Sequence, residues 1–140
     1  MTAAEGLDHV FSIIWNSTLK TNITGVVRRY LRPTNSKNED VTINVLNPID
    51  FEQLQGGIIN VNVFVPNPEY STTVDGKSVR LRDLPNHQRI AILSAFCNLA
   101  LKFNYDKTKH VLLELQTQNI LPENEQTIIN NRVKLTIKNL

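Results

Sequence analysis

The stretch Gly57-Ile58-Ile59-Asn60-Val61-Asn62-Val63-Phe64-Val65-Pro66 decides the fold class. In a strand, side chains alternate between two faces, so Ile59, Val61, Val63 and Val65 share one face, and Ile58, Asn60, Asn62 and Phe64 the other. The first set reads as a core face. The second joins two amides to two large apolar groups, an unusual mixture for a surface that only meets water. Gly56-Gly57 opens this strand and Pro66-Asn67-Pro68 closes it.

Upstream, Val41-Thr42-Ile43-Asn44-Val45-Leu46 predicts a second strand, stopped by Asn47-Pro48. Before it lies a wholly polar segment, Thr34 to Asp40, within a long loop over about 32–40. Gly25 introduces a β-rich run, Val26-Val27-Arg28-Arg29-Tyr30-Leu31, closed by Arg32-Pro33. Further toward the N-terminus, Leu7, Val10, Phe11, Ile14, Trp15 and Leu19 recur every three or four residues, the stripe of one amphipathic helix. Trp15 lies on that stripe and is expected to anchor the core.

Downstream, residues 67–82 are polar and rich in Ser and Thr, with Asp75-Gly76 as a turn or hairpin-tip pair. The segment is expected to be a mobile loop, or an excursion that orders on a partner. Asp83 or Asn86 can then cap a helix that tolerates Pro85 in its first turn and runs to about Lys102. Its apolar residues Ile90, Ile92, Leu93, Phe96, Cys97, Leu99, Ala100, Leu101 and Phe103 form so broad an arc that deep burial against the sheet is expected. Asn104-Tyr105-Asp106 ends the helix. Strands at Val111–Gln116 and Ile128–Ile137, connected through Leu121-Pro122-Glu123-Asn124-Glu125, complete the chain. The expected order is α-β-β-β-α-β-β: one α+β domain over residues 1–140, with a mixed or antiparallel sheet and two main helices on one face.

Composition narrows the function. Across 140 residues, 15 basic and 13 acidic side chains give a net charge of +2, without the basic excess typical of nucleic-acid binders. The single cysteine, Cys97, excludes an intramolecular disulfide framework and sits in an apolar segment, as a buried thiol does. No run approaches the roughly 20 apolar residues of a membrane span. Residues Met1–Glu5 lack the basic and apolar regions of a signal peptide, so the sequons at Asn16 and Asn22 read as chance matches and folding in a cytoplasm is expected.

Catalytic chemistry finds no foothold. His9, His87 and His110 have no sequence neighbours that would pair them with a nucleophile and an orienting carboxylate. Asp8-His9 and Glu123/Glu125 are too sparse for a metal set, and the one glycine pair leads into a strand rather than a phosphate-binding helix. No enzyme activity, metal or cofactor is expected. Two basic groups remain: Arg28, Arg29 and Arg32 around Tyr30, and Lys77, Arg80 and Arg82 in the long segment. They read either as phosphate contacts beside a stacking aromatic, or as edge charges paired with acids on a neighbour. The amide-rich strand face and the two polar excursions favour assembly with other proteins.

The run from Pro33 through Glu39-Asp40 into Ile43-Asn44-Val45-Leu46, then Asn60-Val61-Asn62-Val63-Phe64-Val65-Pro66, then Ile128-Ile129-Asn130-Asn131-Arg132-Val133, resembles small neck and tail-completion (tail-terminator-like) proteins of tailed bacteriophages and prophages. The resemblance spans about residues 7 to 137. It implies a ring-forming virion protein, commonly hexameric, that caps the tail tube and joins it to the head or connector, without enzymatic activity or cofactor. It further implies assembly in the bacterial host cytoplasm, with the tail tube and the connector or neck proteins as partners. Under it, Ile58, Asn60, Asn62 and Phe64 would form a subunit contact. Arg28, Arg29 and Arg32, with Lys77, Arg80 and Arg82, would face acidic neighbours or passing DNA. The 67–82 extension departs from smaller members.

Overall fold

The computed structural model describes residues 1–47 and 54–138; the expected strand stop at Pro48 lies outside them. The chain is α+β; its described residues form a six-stranded mixed sheet, a separate two-stranded hairpin and three helices. In chain order the elements are α1 (Ala3–Trp15), α2 (Thr18–Asn22), β1 (Val27–Arg29), β2 (Val41–Asn47), β3 (Leu54–Pro66), β4 (Tyr70–Val74), β5 (Lys77–Leu81), α3 (His87–Leu101), β6 (Phe103–Asp106), β7 (Val111–Pro122) and β8 (Gln126–Lys138). The large sheet runs β1-β2-β3-β8-β7-β6. Among the described residues, only the β1–β2 pair is parallel.

The central pair is β3–β8, thirteen residues in register from Leu54↔Lys138 to Pro66↔Gln126. Its inner face brings Ile59 opposite Val133, Val61 opposite Asn131 and Val63 opposite Ile129. These residues join Val41 and Ile43 of β2, Val111 and Leu113 of β7, and Leu7, Val10, Ile14, Leu93, Cys97 and Leu101 of the helices in one buried core. Burying each such side chain contributes roughly 1.5–3 kcal/mol, which makes this face the main source of stability.

Several expectations need correction. The N-terminal stripe is two helices rather than one. The Asn16 amide and the Ser17 hydroxyl donate to the Ser12 and Ile14 carbonyls, satisfying the end of α1, and Ser17 is extended before α2 begins. Helix α1 starts earlier than Leu7, because Thr2 and Glu5 form a reciprocal capping box. Trp15 is 47% exposed; it stacks on Phe11 with centroids 5.6 Å apart and lies beneath the Lys20 ammonium at 3.6 Å. The 67–82 segment is not an open loop: most of it is the β4–β5 hairpin, whose tip residues Asp75 and Gly76 both have the positive φ of a type I′ turn.

Helix α3 ends at Leu101, and the expected terminator Asn104-Tyr105-Asp106 is part of edge strand β6. Burial of α3 is one-sided, since Ile92 and Leu99 face solvent. Gly56-Gly57 falls inside β3 rather than before it, opposite Thr136 and Leu135. The 32–40 segment is irregular, as expected.

Candidate functional site

The outer face of the large sheet carries the conspicuous residues. Register places Asn44, Asn60, Arg132 and Thr117 in one row across β2-β3-β8-β7, and Thr42, Asn62, Asn130 and Asn119 in the next. The rows are stitched together. The Asn130 amide donates to Asn62 Oδ1 at 2.6 Å and to Asn60 Oδ1 at 3.3 Å, and the Asn60 amide donates to Asn44 Oδ1 at 3.4 Å.

An amide offers one acceptor and two donors, so this ladder is only partly spent on itself. The Asn62 N–H₂ group and the Asn130 carbonyl oxygen make no hydrogen bond among the described residues. One apolar row, Phe64, Ile128 and Leu121, borders the ladder, and Ile58 and Leu112 lie on its other side. No residue of the buried core cluster belongs to this face. Ile58, Asn60, Asn62 and Phe64 therefore do share one surface, each half-buried.

The basic residues do not share one. Arg28, in register with Thr42, stands exposed at the β1 edge of the outer face. Arg29 is in register with the core residue Ile43; its guanidinium pairs with Asp8 at 2.7 Å and lies 3.9 Å from the Phe11 ring centroid. Arg32 turns inward. Its Nε donates to Asp40 at 2.8 Å, another nitrogen to the Asn38 carbonyl at 2.7 Å and a third to the Gln126 side chain, with the guanidinium 4.7 Å from the Phe64 ring centroid. Arg32 thus braces Phe64 in place. Lys77 is exposed beside the hairpin tip, while Arg80 and Arg82 approach Glu69 at 3.6 and 3.0 Å.

Two clusters that position the site carry residues to which the sequence reading assigned no such role. Glu39 and Asp40, just ahead of β2, are both buried. Glu39 takes a bidentate contact from Arg89 of α3 and a hydrogen bond from the Thr24 N–H. Asp40 accepts from the Val26 N–H, Arg32 and the Ser36 hydroxyl. Burial alone would raise the Asp40 pKa, but these hydrogen bonds outweigh it and hold the carboxyl below its ordinary value. Gly25 is required here, because a Cβ would sit 2.1 Å from Asp40 Oδ1 and 2.6 Å from the Glu39 carbonyl oxygen.

Asn67 is the second cluster. It is 2% exposed; its amide donates to the Arg82 and Glu123 carbonyls, and its Oδ1 accepts from the Thr127 hydroxyl. That knot ties the base of the β4–β5 hairpin to the β7–β8 turn. A charged cleft of about 460 Å³ lies alongside, lined by residues including Arg32, Lys37, Glu69, Arg80, Asp83 and Glu125.

Elsewhere, no three His, Cys, Asp or Glu side chains among the described residues are grouped to hold a metal ion. Among them, too, no helix is long and apolar enough to cross a membrane. Burial pushes the Cys97 thiol up to about 12, which leaves it protonated and unreactive at neutral pH. The chain matches no protein-family model and no curated protein.

Proposed function

We propose that the chain is a structural assembly subunit: a tail-terminator, tail-completion or neck ring protein that joins a phage tail tube to the head or connector. In this reading the two main helices pack on the inner face of the sheet and the outer face is left for a protein neighbour. The observation that carries the reading is that outer face, where half-buried Ile58, Phe64 and Ile128 flank an asparagine ladder with unused donors and acceptors. Apolar area interspersed with amide hydrogen bonding suits a protein interface. The resemblance to tail-completion proteins supplies the specific role, with a ring of copies, commonly six, and residence in the virion after assembly in the host cytoplasm.

A nucleic-acid module built on Arg28, Arg29 and Arg32 is disfavoured, because two of the three are committed to Asp8 and Asp40. The test is light scattering of the purified chain, alone and with tail tubes, comparing wild type with an Ile58→Asp/Asn62→Asp variant. A ring-sized species or tube binding that the double substitution abolishes is the expected result. A chain that binds neither itself nor tubes, or whose binding the substitutions leave intact, overturns the proposal.

A further inference from the structure

Among the strand edges that lack a partner strand in the described residues, two match each other. Strand β6 pairs only with Val111–Glu114 of β7, so the outer edge of β7 from Thr117 to Leu121 has no partner strand among the described residues. From Leu115 to Pro122 there is no charged side chain, and Thr117, Asn119, Ile120 and Leu121 are exposed. Sheet edges usually carry charge or cover to prevent pairing; this one has a bulge before it and Pro122 after it, and is neutral between.

The second edge belongs to the β4–β5 hairpin. Its five residue pairs stand in a sheet of their own, and no helix or other strand among the described residues packs extensively against them. Ser71, Thr73, Ser78 and Arg80 are exposed. An isolated two-stranded hairpin is marginally stable in water, and a third strand is what it needs.

The edges match in length and charge. Each offers five residues, Lys77–Leu81 on β5 and Thr117–Leu121 on β7. Exposed carboxylates at Glu114 and Glu123 flank the β7 edge, while β5 carries exposed Lys77 and an Arg80 whose side chain is 81% exposed.

We infer that β5 of one copy adds antiparallel to the free edge of β7 in a second copy. This places Lys77 opposite Leu121 and beside Glu123, with Val79 opposite Asn119 and Ser78 opposite Ile120. Every copy carries both β5 and the unpaired segment of β7, so the contact is heterologous and repeats from subunit to subunit, as a closed ring requires. The inference rests on the assembly reading and names the elements that join the copies.

The decisive experiment mixes two single variants, Val79→Cys and Asn119→Cys, under mild oxidation, with Ser78→Cys and Ile120→Cys as a second pair. Buried Cys97 leaves the introduced thiols as the reactive ones. Each mixture is expected to give a disulfide-linked dimer, and a Val79→Cys/Gln88→Cys mixture none. Lys77→Glu should weaken self-association about 3-fold and Glu123→Lys in the same chain should restore it, the scale of one exposed ion pair. Oligomers by light scattering without either cross-link overturn this inference and leave the assembly reading standing. Monomers without cross-links overturn both.

Discussion

Arg89 grips Glu39 with two nitrogens, Nε to Oε2 at 2.6 Å and Nη2 to Oε1 at 2.8 Å, although the two residues lie 50 apart in sequence. This fork fastens α3 to the segment entering β2, and the same guanidinium also donates to the Asn22 carbonyl at the end of α2. The Glu39 side chain is 8% exposed, so removing its partner strands a buried carboxylate. Arg89→Ala is expected to lower stability by about 3 kcal/mol, read from urea unfolding. Arg89→Lys should recover only part of the loss, because an ammonium cannot reproduce the two-pronged contact.

Arg28 and Arg32 are separated by three residues and should behave oppositely. Arg28 is exposed and forms no ion pair among the described residues, so Arg28→Ala should change stability by less than about 0.5 kcal/mol. Arg32→Ala deprives buried Asp40 of its cation and the Phe64 ring of its brace, and should cost about 3 kcal/mol. Thermal melts of the two variants, run in parallel, check the contrast.

Acid should weaken the fold in two stages. His9 is buried; desolvation first, then Lys109, lower its pKa below the ordinary 6.5, with Asp106 opposing, and its Nε2 has no hydrogen-bond partner among the described residues. Below about pH 6.5 the unfolded chain therefore takes up a proton that the folded chain resists, and stability falls until the depressed folded value is reached. Asp40 contributes fully above its unfolded value near 3.8, and that contribution is lost as pH falls through its lower folded value. Urea midpoints measured from pH 8 to 3 should show both limbs, and His9→Gln should flatten the first while leaving the second.

Cys97 is fully buried with its pKa pushed up to about 12, so Ellman's reagent should find essentially no thiol in the native protein at pH 8. In denaturant one thiol per chain should react. Rapid native labelling would contradict the packing of α3 on the sheet.

The strands with clean alternation were legible from sequence, because period-two burial leaves its mark residue by residue. Val133, Leu135 and Ile137 are buried with Arg132 and Lys134 exposed, and Ile58, Asn60, Asn62 and Phe64 share a face as read. What escaped depends on contacts distant in sequence. Trp15 fits the helical stripe, yet α1 has turned far enough by its last residue to leave the ring beside Lys20 at the surface. Glu39, Asp40 and Asn67 look like polar loop residues, and their burial comes from Arg89, Arg32 and Thr127, which lie between 8 and 60 residues away. The arginines near Tyr30 read as one group because they are close in sequence, but strand alternation and the turn after β1 send their side chains to different sides of the molecule.

One irregularity in β7 explains where its alternation was lost. Gln116 is an extra residue between Leu115, opposite Val133, and Thr117, opposite Arg132. Before it the odd-numbered residues point inward; after it the even-numbered ones do, which is why Gln118 reaches Asn131 and the end of α3. The bulge acts as a frame-shift written into the backbone. Deleting Gln116 would restore an unbroken alternation and leave the distal half facing as it does now, whereas drawing Gln116 into the ladder as an ordinary strand residue would turn that half inside out: Asn119 and Leu121 would face inward, and Gln118 and Ile120 would be delivered to the outer surface. Which face each distal side chain of this strand takes is set by a single inserted residue.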